Sequence, residues 1–259
     1  MKIRLLLRYI TIFTGLLLVV SCRPGLTQRQ SPIANSQSVS PGSGKVQVAP
    51  PAVARPDFKD ILQQAAAKPP APFVGEGWRP MFDGKTLAGW RETDFAGHGS
   101  VECESGMMVL NMGDPFTGIN WTNETPKINY EVALDAMRVM GSDFFCGLTV
   151  PVGHTFCSLI VGGWGGSLVG ISSLDSMDAS ENETTKFFNF EKGRWYRIRL
   201  RVTEKKIEAW IDNEKLVDAA ITGKRISVRP GDIERSKPFG IASWQTAAAL
   251  REIRIRTVN

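Results

Sequence analysis

Between residues 174 and 185 the chain reads LDSMDASENETT, which offers Asp175, Asp178, Glu181 and Glu183 with Asn182 among them. Two carboxylates held close together can give and take protons. If residues 181–183 are extended, Glu181 and Glu183 point to one face. Glu181, Glu183 and Asp178 are therefore the candidate catalytic groups. The same oxygen-rich set suits a hard cation, and Asp175 and Asp178 are the candidate ligands of Ca²⁺. A plain solvated loop is the third reading.

Ten residues upstream the chain reads SLIVGGWGGSLVG, with Trp164 set between two glycine pairs and flanked by apolar runs. Glycine inside a strand pattern marks a bulge, a tight turn or a close approach by a ligand. The stretch is either a hairpin tip or an aromatic platform with open faces. Sugars present flat C–H surfaces that settle on such rings. Trp121, in INWTNET, has amide and hydroxyl neighbours of the kind that orient a sugar. Trp164, Trp244 and Trp121 are the candidate substrate contacts, while Trp78, Trp90, Trp195 and Trp210 are assigned to structure.

Other chemistries find little support. The two histidines, His98 and His154, sit beside glycines and are separated by strand patterns, a weak metal pair. No G-x-S-x-G elbow occurs. SPGSGKV lacks the first glycine of a P-loop and the hydroxyl residue after lysine. Gly163-x-Gly165 is followed by Leu168 and a strand rather than a helix, so a dinucleotide fingerprint fails.

The positioning elements follow from the chain's organisation. Residues 1–22 read as an export leader: Lys2, Arg4 and Arg8 precede an apolar run from Tyr9 to Val20, too short to span a membrane comfortably. The run ends in Val-Val-Ser-Cys, which resembles the lipobox of bacterial lipoproteins. Lipidation at Cys22 and a membrane-anchored place in the cell envelope are the expectation. Removing those three basic residues takes the formal charge from +5 to +2, which is not a nucleic-acid footprint. Residues 23–56, rich in Pro, Ser, Gln and Gly, read as a disordered linker. Residues 57–72 read as a short helix and connector. Asp57 is the cap, Phe58, Ile61 and Leu62 share a face, and Pro69 and Pro70 end it; the helix docks on the domain or on a partner.

From residue 73 to 259 the period changes to two. RWYRIRLRVT, KIEAWID and REIRIRTV alternate apolar with charged residues, as half-buried strands do. DFFCGLTVPV, TFCSLIVGG and SLVGISSL are apolar on both faces, as central strands are. Many short strands with turn signals predict one all-β domain, an antiparallel β-sandwich of jelly-roll type. The arginines of the alternating strands fit an outer face paired with acids across strands. Export would allow one disulfide among Cys103, Cys146 and Cys157. Cys146 and Cys157 face each other only if the intervening turn centres near 151–152; buried free thiols are the alternative.

GWRPMFDGKTLAGW, residues 77–90, resembles the opening F-D/N-G-K-x-L-x-G-W of the 3-keto-disaccharide hydrolase domain family, also called DUF1080. GRWYRIRLRVTEKKIEAWIDNEKLVDA resembles its late hairpin and LREIRIR its closing strand, so the resemblance spans about 77–258. It implies a concanavalin A-like jelly roll and cleavage of glycosidic bonds in sugars oxidised at C3. A 3-keto group acidifies the C2 proton; a base removes it, the C1 substituent leaves and water adds. A divalent metal is one source of the electrophilic help this needs. The sequence departs from the family where polar site residues are expected. N-S-G-x-x-x-R is replaced by Ser142-Asp143-Phe144-Phe145-Cys146-Gly147, and Gln-x-His-Gly by Ala242-Ser243-Trp244-Gln245. Phe156-Cys157-Ser158-Leu159-Ile160 stands in place of a polar strand. Three readings remain open: an enzyme of 3-keto-glycoside hydrolase or lyase type, a non-catalytic lectin-like module, and an envelope interaction module without a sugar ligand.

Overall fold

The computed structural model describes residues 57–258. The leader with Cys22 and the linker at 23–56 lie outside the described residues.

The alternating segments form the middle of one antiparallel sheet. Its order is β13 (Glu214–Ala220), β12 (Lys206–Ile211), β11 (Tyr196–Val202), β6 (Tyr130–Gly141), β15 (Thr246–Thr257), β4 (Met107–Leu110) and β3 (Val101–Glu104). A short β1 (Arg79–Pro80) also pairs with β15. The doubly apolar runs form the second sheet: β10 (Lys186–Phe187), β9 (Leu168–Ser172), β8 (Thr155–Gly163), β7 (Cys146–Val152), β14 (Gly240–Trp244), β5 (Phe116–Trp121) and β2 (Trp90–Glu92). The inward residues of both sheets, among them Leu134, Ile198, Leu200, Leu148, Leu159 and Ile171, make the main core. This is the concanavalin A-like sandwich with a short N-terminal helix that the sequence predicts.

The outer face of the first sheet explains the arginines. Asp135 lies between Arg197 on β11 and Arg251 on β15, and Glu131 lies between Arg201 and Arg256. Arg197 Nε reaches Asp135 at 2.5 Å, and Arg256 and Arg199 reach Glu131 at 2.8 Å each. Burial pushes the Glu131 carboxyl up, but the Arg256 and Arg201 guanidiniums more than offset this and hold it below its usual value. Trp195, Trp78 and Trp210 stack over Arg251, Arg256 and Arg199, so these three tryptophans are structural. Helix α1 (Phe58–Ala66), capped by Asp57, docks on this same face. It sets Leu62 and Ala65 against Met107, Val109, Met137 and Ala249.

The opening motif is a structural turn. Asp83 accepts from the backbone N–H groups of Thr86 and Lys85 at 2.7 Å each and from the Thr86 hydroxyl at 2.7 Å. Those bonds, the Thr86 N–H first, lower its pKa to about 2.

The disulfide alternative is corrected by register. Val152 pairs with Thr155, so the turn centres between Gly153 and His154. Cys146 therefore opposes Val161, and Cys157 opposes Val150. Cys103, Cys146 and Cys157 are all free thiols. Burial pushes Cys146 and Cys157 up to about 12.

Candidate functional site

The glycine-flanked tryptophan is both a hairpin tip and an exposed ring. Gly166 N–H donates to Gly163 O at 3.1 Å, closing a turn between β8 and β9. Its central residues, Trp164 and Gly165, have φ of +48° and +83°. Positive φ at both positions matches the right-handed twist of a hairpin but is uncommon for a bulky side chain. Trp164 nevertheless leaves 44% of its surface exposed. Beneath the tip lies Arg138 of β6, a residue 5% exposed. Its Nη2 donates to Gly162 O at 3.2 Å and to Gly166 O at 2.7 Å, one carbonyl on each side of Trp164. A Cβ on Gly162 would stand 2.5 Å from that nitrogen, which explains the glycine there. Burial lowers the Arg138 pKa, partly offset by the charge of Asp143. Asp143 fastens the tip from the other side, accepting from Gly165 N–H at 3.2 Å.

Trp164 stands at the mouth of a cleft of about 400 Å³ on the outer face of the second sheet. Much of that face is roofed. Phe95 lies over Gly118 and the 179 backbone over Gly170, approaches that a side chain at either glycine would block. What stays open is bounded by Phe116 and Trp244 from β5 and β14, Phe144 from the β6–β7 connection, and Ile160 from β8. Trp244 meets Phe116 edge-on at 4.6 Å between ring centres. The Trp244 backbone N–H donates to Phe144 O at 3.0 Å. The two stretches that depart from the family pattern, 142–147 and 242–245, thus come together as an aromatic wall.

Polar groups converge opposite that wall. Asp178 Oδ1 accepts from the Ser172 hydroxyl at 2.6 Å and from Ala179 N–H at 2.7 Å. Its Oδ2 accepts from Arg229 Nη1 at 2.7 Å. The Arg229 side chain is 60% exposed, which leaves its other N–H groups free for a ligand. Asp143 and Asp232 also line the cleft. The 171–184 loop is held by Asn182, whose amide donates to Ile171 O at 2.8 Å, Met177 O at 3.1 Å and Asp178 O at 2.7 Å.

Of the residues singled out from sequence, Trp164, Trp244 and Asp178 meet in the cleft. Glu181 and Glu183 do not line it. The 181–183 segment turns instead of extending, with Glu181 N–H donating to Asp178 O at 2.9 Å and Thr185 N–H to Asn182 O at 3.1 Å. Glu183 pairs with Lys224. Trp121 packs at 5.1 Å on Trp90, away from the cleft, and Trp90 is buried with its Nε1 donating to Met81 O at 2.7 Å. Asp175 accepts from Arg225 N–H at 2.8 Å. Sequence reasoning missed Arg229 and Asp232, which flank a Pro-Gly pair that reads as an ordinary turn. It took Asp143 only as a departure from the family pattern.

The donor set fits Ca²⁺ poorly. Asp178 is occupied by a guanidinium, a hydroxyl and an amide, and Asp175 lies on the arm tied to Arg225. Among the described residues no group of three or more His, Cys, Asp or Glu side chains is placed to hold a metal ion. His98 contacts Glu92 at 3.7 Å.

Residues 77–256 match the family model described as the 3-keto-alpha-glucoside-1,2-lyase-like domain. Among solved structures, the chain is similar to one described as a glycosyl hydrolase from Parabacteroides distasonis. The identity is 16% over 71% of this chain and 95% of that one, with a TM-score of 0.46. It is similar to the carbohydrate-binding module CBM66 from Bacillus subtilis, at 12% identity over 65% and 96% of the two chains, with a TM-score of 0.43. It is also similar to a Bacillus licheniformis β-glucanase, at 11% identity over 72% and 100%, with a TM-score of 0.46. No curated protein matches.

Proposed function

The chain belongs to the 3-keto-alpha-glucoside-1,2-lyase-like domain family, and on that premise we propose that its cleft cleaves the glycosidic bond of a 3-keto sugar. The observation that carries this is the Asp178–Arg229 pair, 2.7 Å apart, facing a wall that contains Trp244, with Trp164 at the mouth. The rings receive the apolar face of the sugar and fix its plane. Asp178 Oδ2 keeps a lone pair beyond the one given to Arg229 and takes the C2 proton. The electron pair moves toward the C3 oxygen, where the Arg229 guanidinium stabilises the enolate. Collapse of the enolate breaks the C1–O bond, and the proton on Asp178 passes to the departing oxygen. This leaves an unsaturated 3-keto sugar and a free alcohol. Water then adds across C1 and C2.

The leader supports an exported, lipid-anchored placement in the cell envelope, with Cys22 as the acylated residue. The second reading, a lectin-like module that binds without turnover, is favoured by one observation: aromatic residues occupy positions where the family carries polar ones.

The test is turnover of a 3-keto-disaccharide by wild type, Asp178→Asn and Arg229→Met. The lyase reading expects a fall in kcat of about 10²-fold or more for Asp178→Asn, with the domain still folded. Full activity in both variants overturns it, and binding without release of free sugar moves the assignment to the lectin.

A further inference from the structure

The cleft is lined by three carboxylates, and their surroundings divide them. Asp143 gives both oxygens to backbone donors, Oδ1 to Phe144 N–H at 2.7 Å and Oδ2 to Gly165 N–H at 3.2 Å. Asp178 holds the Ser172 hydroxyl, Ala179 N–H and Arg229. Asp232 accepts no hydrogen bond among the described residues. Arg235 Nε stands 3.9 Å from its Oδ1, beyond hydrogen-bond reach, and the same guanidinium is 3.7 Å from Asp94. The Asp232 side chain is 55% exposed, so water reaches its oxygens directly.

Its place is nonetheless fixed. Asp232 and Arg229 lie three residues apart on one segment, which lines the cleft through Arg229, Pro230, Asp232 and Ile233. Val228 and Ile233, at the two ends of that segment, are buried in the outer-face cluster with Phe116 and Ile160. Gly231, at φ +124°, turns the chain between them, and the 3₁₀ helix Asp232–Ser236 follows. One pinned turn thus carries into the cleft both the guanidinium assigned to the C3 oxygen and a carboxylate that nothing else engages.

Resting on the elimination proposed above, we infer that Asp232 is a second catalytic carboxylate, the base that adds water to the unsaturated 3-keto sugar. Elimination leaves C1 at the far end of a C1=C2–C3=O system, the carbon a nucleophile attacks. Asp232 takes a proton from water as the water oxygen bonds to C1. The C1=C2 pair shifts toward the C3 oxygen, where Arg229 again stabilises the enolate. C2 then takes a proton from solvent, and Asp232 gives its own proton back. The sum is one water added, with both residues restored. Two features favour Asp232 over its neighbours. A general base needs an oxygen lone pair facing the proton it removes, and Asp143 has committed its oxygens to the hairpin tip. Asp178 is left facing the alcohol it has just protonated, whereas Asp232 faces water.

The experiment follows a 3-keto-disaccharide and the full chain by mass spectrometry at early times. The unsaturated 3-keto sugar is lighter than the hydrated one by one water, so the two steps are read separately. Asp232→Asn should lower the rate of hydration relative to elimination by about 10²-fold, and the unsaturated sugar should accumulate. Asp232→Glu should restore much of the hydration. If Asp232→Asn gives the wild-type ratio of products, or wild type itself releases only the unsaturated sugar, the role of Asp232 is overturned while the elimination stands. A parallel fall of both steps, with no accumulation, also overturns it. If folded wild type consumes no substrate, the reading of the cleft falls and this inference with it.

Discussion

Replacing Arg138 with Met tests whether a buried guanidinium holds the Trp164 hairpin in place. The substitution keeps an unbranched apolar stem on β6 and deletes two short bonds, to Gly162 O at 3.2 Å and Gly166 O at 2.7 Å, and a long one from Nη1 to Phe190 O at 3.5 Å that adds little. It also deletes the stacking of the guanidinium on Phe145, 5.2 Å from its ring centre. Hydrogen bonds from a charged donor are worth about 1.5–3 kcal/mol each, so the gross loss is about 3–6 kcal/mol. Part returns, because a costly buried charge is removed, and Arg138 Nε has no partner to lose. With about half of the gross loss returned, the net destabilisation is about 1.5–3 kcal/mol. For a domain of roughly this size 1 kcal/mol moves Tm by about 2–4 °C, so the expected drop is about 3–12 °C. Thermal unfolding by circular dichroism gives that number. Hydrogen exchange gives the local one: the Gly165 and Gly166 amides should lose protection before those of β7 or β14. A Tm within a degree of wild type, with exchange at the tip unchanged, would refute the claim that Arg138 supports the hairpin.

Trp164→Asn should cost no stability, since Asn tolerates positive φ far better than an aromatic side chain, yet sugar binding should be lost; a large fall in Tm would mark Trp164 as core. Cys146 and Cys157, with thiols pushed up to about 12 by burial, should resist iodoacetamide at pH 8 until the domain is unfolded, as read by mass-spectrometric peptide mapping. Rapid labelling of either would contradict their placement. Asp83 has a folded pKa of about 2 against an ordinary 3.8. Its contribution is therefore present above about pH 4 and lost as the pH falls toward 2, and Glu131, also lowered, acts in the same direction. Asp83→Asn should lessen the loss of Tm across that window, and an unchanged pH profile would show that the turn is not linked to stability.

The strands were legible because each side chain's face follows from alternation: Arg197, Arg199 and Arg201 point out while Ile198 and Leu200 point in. Pairing of those arginines with acids also followed, since outward charges on adjacent strands meet. The hairpin at Trp164 was legible from its glycines. What placed Asp178 beside Arg229, 51 residues apart, was not. That meeting depends on a short ladder in which Ser173 N–H donates to Ser227 O at 2.6 Å and Ser227 N–H to Ser173 O at 3.2 Å. Neither serine stands in a periodic run. Glu181 and Glu183 looked paired by spacing, and a loop organised around buried Asn182 turned them elsewhere. Asp143 sat in an apolar run, where its role as a backbone fastener for the hairpin tip leaves no mark in sequence.

On the mechanism proposed above, the cleft opens a glycosidic bond by removing a proton from C2. The most direct test uses a 3-keto-disaccharide carrying deuterium at C2 of the 3-keto unit, followed by mass spectrometry of both sugar products. Proton removal from C2 requires that the 3-keto product has lost its deuterium to solvent and that release is slowed by the isotope and cut about 10²-fold or more in Asp178→Asn. Release with the deuterium fully retained at C2, or no release by folded protein, would contradict it.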